Sequence, residues 1–198
     1  VTSPAAAPTL QQRLVATAVD LTTAHGWSHV TMARLAREVG VSRQTVYDQI
    51  GTKQELAEAV IATELARFLD AVTRAFDRSP GDLVAAVEGA CHDVLVLAQD
   101  NALLRAIASA THGTDTELLP LLTTHSATLL QTAQAVVAER VAEYDVPLDP
   151  ARLAAGIEVI VRVVLSHVMQ PSGTPAQTAA DLSWIAGRVL ATGEGPRS

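Results

Sequence analysis

The chain has 198 residues, 48% of them hydrophobic and only 3% aromatic, with a formal net charge of −7. Its one cysteine, Cys91, excludes an intrachain disulfide and fits a reducing cytoplasm. No apolar run approaches the roughly 20 residues that cross a bilayer, and alternating β-branched and aromatic runs are scarce, so the expectation is an all-α protein with a sizeable core and no membrane segment.

Residues 1–9 read as a disordered arm, without the charged-then-apolar layout of a signal peptide. The first helix is predicted from Leu10 to His25, because Leu10, Leu14, Ala18 and Leu21 recur at helical spacing beside Val15 and Val19. Gly26 stops it. Thr31 caps a second helix, "MARLAREV", which ends at Gly40, and Ser42 caps a third, "RQTVYDQI", which ends at Gly51. Thr52 and Glu55 then make a T-x-x-E capping box for a fourth. Two short helices joined by "VGVS" are a helix-turn-helix, with Leu35, Val39, Val46 and Ile50 pointing inward toward Leu14 and Leu21.

Beyond Lys53 the predicted helices lengthen. They run to about Phe76, over 83–99, over 102–112, through a helical turn cut at Pro120 and on to Tyr144, then over about 151–169 and 174–191. "RSPGD", "DVPLDP" and "QPSGTP" separate them, and 193–198 is a disordered tail. The expected organisation is about nine helices: a helix-turn-helix head over 10–53 and a larger helical body over 54–192.

Charge follows the same division. Residues 1–53 carry five cationic against three anionic groups, a net +2, whereas residues 54–198 carry nine against eighteen, a net −9. An acidic body repels a polyanion, but a mildly basic head that projects outward can approach one. The third helix suits that task. Its N-terminal turn offers unpaired backbone N–H groups to phosphate, and recognition helices meet base edges with their first residues. Arg43, Gln44 and Thr45 stand there: Arg can pair with guanine, Gln with adenine, and the Thr methyl can meet that of thymine. Tyr47 and Lys53 suit phosphates, and Thr31 and Ser42 can offer hydroxyls or amides to them. Asp48 runs against this pattern unless it accepts from cytosine or holds Arg43 or Arg37.

With the preceding "AHGW", the stretch "TMARLAREVGVSRQTVYDQIGTKQEL" resembles the N-terminal domain of TetR-type bacterial transcriptional regulators over about residues 10–60. The resemblance implies a homodimer whose heads bind a palindromic operator in double-stranded DNA and whose bodies bind a small molecule. It puts Arg43, Gln44, Thr45, Tyr47 and Lys53 at DNA-contacting positions, with Thr31 and Ser42 capping near phosphate. It also implies dimerisation through the last two predicted helices, the eighth and ninth, whose small residues and Val, Ile, Leu and Trp184 suit a four-helix interface. Two departures stand out: Asp48 in place of a neutral or basic residue, and Ile50 in place of phenylalanine.

A pocket is expected among the helices of the body, lined by Cys91, Leu95, Leu104, Ala108, Leu118, Leu122, Leu129, Val159 and Val163, with His92, His112 and His125 as polar candidates. With so few aromatics this favours a small apolar effector such as an acyl chain. Glu158 and Arg162, four apart, read first as an ion pair that fixes packing and second as an anchor for a ligand carboxylate. No cofactor and no metal site is expected. The reading is therefore a ligand-responsive DNA-binding regulator, a repressor released by its effector. The rival classes are a helical dimeric interaction or small-molecule-binding module without DNA binding, and a hydrolase. G-x-S-x-G and H-E-x-x-H motifs are absent, so no enzyme is expected.

Overall fold

A computed structural model describes residues 7–101, 104 and 126–191. Among these the chain forms eight α-helices: α1 Leu10–His25, α2 Met32–Val39, α3 Arg43–Ile50, α4 Lys53–Arg78, α5 Leu83–Asp100, α6 Ser126–Val141, α7 Pro150–Met169 and α8 Pro175–Ala191. Apart from residue 104, the helix expected over 102–112 lies outside the described residues, as do the turn before Pro120 and Ala108, His112, Leu118, Leu122 and His125. Contacts divide the described chain into two units, with the boundary inside α4 between Glu64 and Leu65.

The first unit holds α1–α3 and the start of α4. Thr9 caps α1 in a capping box with Gln12, Thr31 accepts from the Arg34 amide, and Ser42 accepts from the Thr45 amide at 3.0 Å. Each cap satisfies an N–H that the helix leaves unpaired, worth about 1 kcal/mol. Between α2 and α3 the chain turns at Gly40, whose left-handed φ of +78° costs glycine nothing. Leu14, Ala18, Leu21, Leu35, Val39, Val46 and Ile50 are buried, as their spacing predicts. The core also takes in Trp27, Val30 and Met32, and Leu56, Ala57 and Val60 from α4. α4 therefore closes the core under the three small helices. A 3-10 turn over Trp27–His29, not expected from the sequence, carries Trp27 into that core.

In the second unit, the later part of α4 packs with α5, α6 and α7 around Val72, Ala75, Phe76, Ala86, Ala90, Val94, Val141, Ile157 and Val161. A smaller cluster joins Cys91 of α5 to Ala179 and Leu182 of α8. Helix ends differ from the expected ones by a few residues. α4 continues past Phe76 to Arg78, before Pro80 and the positive φ of Gly81 end it. α6 stops at Val141, short of Tyr144, whose side chain packs back on the end of α4. Its hydroxyl donates to the Ser79 carbonyl at 2.9 Å, and its ring meets Phe76 edge-on at 5.9 Å. Asp149 caps α7 and Pro150 occupies its first turn, where a missing N–H costs no helical bond.

Candidate nucleic-acid interface

α3 is anchored on one side only. Val46 and Ile50 are buried, while Ser42, Arg43, Gln44, Tyr47 and Asp48 are exposed and Thr45 is half-buried. The exposed side begins at the helix N-terminus, where the partial positive charge of the peptide dipoles is greatest. Ser42 and Thr45 also share a side-chain hydrogen bond of 2.8 Å, so both hydroxyls are held at the opening turn. Thr31 is exposed at the start of α2 and Lys53 is half-buried at the start of α4.

Lys53 sits at the first position of α4, where Thr52 and Glu55 exchange capping bonds of 2.7 and 3.2 Å. The Thr52 amide and hydroxyl hold the Glu55 carboxyl below its usual range. Gly51, at φ +89° and ψ −124°, makes the link between α3 and α4 in a conformation that only glycine adopts readily.

Asp48 holds neither Arg43 nor Arg37. It accepts a hydrogen bond of 2.8 Å from the Gln44 side-chain amide, one turn earlier on α3. Arg37 pairs with the neighbouring Glu38 at 3.3 Å, an exposed contact of little energetic weight. Arg13, a cation of the head, donates to the Val39 carbonyl at 3.1 Å and so ties α1 to the end of α2. The four-residue spacing of Gln44 and Asp48 is a legible signal for their pairing, since such positions face one another on a helix.

A capped two-helix unit with a glycine turn and an exposed polar N-terminal turn on its second helix is matched by known proteins. Residues 14–60 match bacterial regulatory proteins of the tetR family, and residues 82–188 match the bacterial tetracyclin repressor C-terminal domain. The chain belongs to the TetR family. It is a ligand-responsive, DNA-binding transcriptional regulator of the kind that dimerises. It is similar to the HTH-type transcriptional regulator AlkX of Mycobacterium tuberculosis, at 29% identity over 164 residues, covering 83% of this chain and 77% of that protein. Its fold is similar to that of the TetR-family repressor AlkX from Dietzia sp. strain DQ12-45-1b, implicated in biodegradation of n-alkanes, with a TM-score of 0.73 and 24% identity over 93% and 96% of the two chains. The fatty acid degradation regulator FadR from Bacillus halodurans shares the fold at a TM-score of 0.55 and 16% identity, over 90% and 96%.

In this TetR-family chain, the residues expected to line a pocket separate into groups. Cys91 and Leu95 are buried on α5, and Val163 packs half-buried against the Cys91 cluster. Leu104 and Leu129 are half-buried. His92 is half-buried, with Nδ1 3.2 Å from Asp93, whose other oxygen takes Arg78 at 2.5 Å. Burial pushes the Asp93 carboxyl up, but Arg78 and His92 together outweigh it and lower its pKa. Val159 and Arg162 stand on the exposed side of α7 rather than toward its packed side: Val159 is 57% exposed, and Arg162 donates to Glu158 at 2.8 Å. Also exposed are Leu165 and Met169 on α7, and Trp184, Ile185 and Val189 on α8. No helix among the described residues is long and apolar enough to cross a membrane.

Proposed function

We propose that this regulator is a cytoplasmic repressor that holds a palindromic operator as a homodimer and releases it when a small apolar molecule binds the body. The observation that carries the DNA reading is α3 itself. It is fixed to the core by Val46 and Ile50, and its first turn presents Arg43 and Gln44 outward, with Thr45 half-buried against Ser42 and Tyr47 exposed one turn on. That pattern suits a helix laid into a major groove, with Lys53, Thr31 and Ser42 on flanking phosphates.

The bodies pair through α7 and α8, roughly 151–169 and 174–191. Val159, Leu165, Met169, Trp184, Ile185 and Val189 are too large and apolar to be left in water together. A two-fold dimer supplies two copies of α3 to two half-sites. The effector is an aliphatic molecule, such as an acyl or alkyl chain, bound in the body, with Cys91, Leu95, Leu129 and Val163 as candidate lining and His92 at a polar end. The apolar, aromatic-poor composition supports this reading, as does the similarity to regulators named for alkane and fatty-acid degradation. Binding to a state with displaced heads lowers operator affinity by the same factor that DNA lowers effector affinity.

Fluorescence anisotropy on the palindromic sequence beside the protein's own gene tests the reading. The wild type should bind, and Arg43→Ala and Tyr47→Ala should weaken binding at least about tenfold. Added medium-chain alkane or fatty acid should release it. Alanine variants that bind as wild type would remove α3 from the interface, and a protein indifferent to every aliphatic compound tried would remove the effector class.

A further inference from the structure

We propose that Asp48 is a positioning residue that sets the base preference of Gln44; this rests on α3 being the DNA-reading helix. Gln44 and Asp48 are both exposed and lie one turn apart, joined by a hydrogen bond of 2.8 Å from the Gln44 Nε2 to the Asp48 Oδ1. An ionised carboxylate only accepts, so chemistry decides which way the amide faces. Turning the amide over would bring its oxygen against that of Asp48. The nitrogen therefore stays on the Asp48 side, and Oε1 faces away from it.

The consequence is a choice among bases. In the major groove adenine and cytosine offer exocyclic amines, whereas guanine and thymine offer O6 and O4 acceptors. An outward Oε1 meets adenine N6 or cytosine N4 favourably and is repelled by guanine O6 or thymine O4. Adenine gains further if the remaining N–H reaches N7. A free glutamine would turn its amide over and accept either class. Asp48 removes that freedom, and it carries a negative charge into a site that otherwise suits phosphate. A wholly structural role is the competing account, since a Gln–Asp pair at this spacing also supports a helix by a few tenths of a kcal/mol.

The two accounts separate in a selection from a randomised duplex library, with bound fragments sequenced for the wild type, Asp48→Ala, Asp48→Asn and Gln44→Ala. One position should lose its preference in Gln44→Ala, which marks it as the one Gln44 reads. At that position the wild type should favour an amino-bearing base. Asp48→Ala should admit guanine or thymine, lowering discrimination by about five- to tenfold, the low end of one good side-chain–base pair. Asp48→Asn offers a donor as well as an acceptor, so the Gln44 amide can face either way; it should relax the preference as Asp48→Ala does while raising affinity for all sequences. An Asp48→Ala protein with the wild-type preference and only a uniform change in affinity overturns this inference alone. A wild type that enriches no sequence overturns the DNA-reading assignment and this inference with it.

Discussion

The Nζ of Lys53 lies 5.4 Å from the centre of the Trp27 ring, so the first residue of α4 stands over the aromatic residue that the 3-10 turn carries into the core. Trp27 is only 4% exposed. The ring thus offers the ammonium a fixed, electron-rich face, a contact worth about 0.5–1 kcal/mol at a partly exposed site. It limits where Lys53 can reach and makes it suited to one phosphate rather than many. Lys53→Ala should weaken binding to all duplexes alike and reduce the slope of log affinity against log salt by about 1. Lys53→Arg should retain both. Anisotropy titrations at several salt concentrations read this directly, and an unchanged slope would take Lys53 off the backbone.

Gly51→Ala should destabilise the protein by about 1–3 kcal/mol, the range for a side chain forced into a glycine-only conformation. The backbone there has φ +89° and ψ −124°, and an added Cβ would run into the Glu55 carboxylate of the capping box. Urea unfolding of variant and wild type gives the difference. Gly40→Asn should cost less, because φ +78° and ψ +37° form the left-handed conformation that asparagine tolerates, and nothing lies near the new Cβ.

Trp184 is 63% exposed on α8, with the Arg188 guanidinium over its ring at 5.6 Å. If the bodies pair through this face, Trp184→Glu buries an unpaired carboxylate opposite apolar partners, a change that costs several kcal/mol. Sedimentation velocity should show the wild type as a dimer and the variant as a monomer at micromolar concentration. A dimeric variant with unaltered affinity would move the interface elsewhere.

Burial pushes the Cys91 thiol up to about 12, with Glu88 adding to the effect. The thiolate is the reactive form. Native protein at pH 8 should therefore resist alkylation by iodoacetamide, and protein in urea should be labelled rapidly. The sign of the linked stability effect follows from the proton count. From the ordinary value of 9.0 upward, the unfolded chain gives up this proton and the native chain keeps it until about 12. Stability from this group thus falls as pH rises through that window. Cys91→Ser should remove this part of the alkaline decline, which chemical unfolding at pH 8 and pH 10.5 would show.

Much of the head was legible from local chemistry. Thr31, Ser42 and Thr52 cap because their hydroxyls satisfy N–H groups three residues on, and Gly26, Gly40 and Gly51 take positive φ where the helices end. These interactions span a few residues, so sequence spacing alone determines them. The same spacing held Leu14, Leu35, Val46 and Ile50 to the buried side. What only the tertiary structure decided depends on residues far apart in the chain or on competition between partners. Leu56, Ala57 and Val60 complete the first core because α4 folds back under it, and Arg13 finds the Val39 carbonyl 26 residues on. Tyr144 reaches Ser79, a bond between positions 65 apart. The Gln44–Asp48 bond, by contrast, is local, and its four-residue spacing was already legible in the sequence. Val159 and Arg162 belong to an apolar helix whose sequence does not say which side meets α5, so their exposure follows from packing alone.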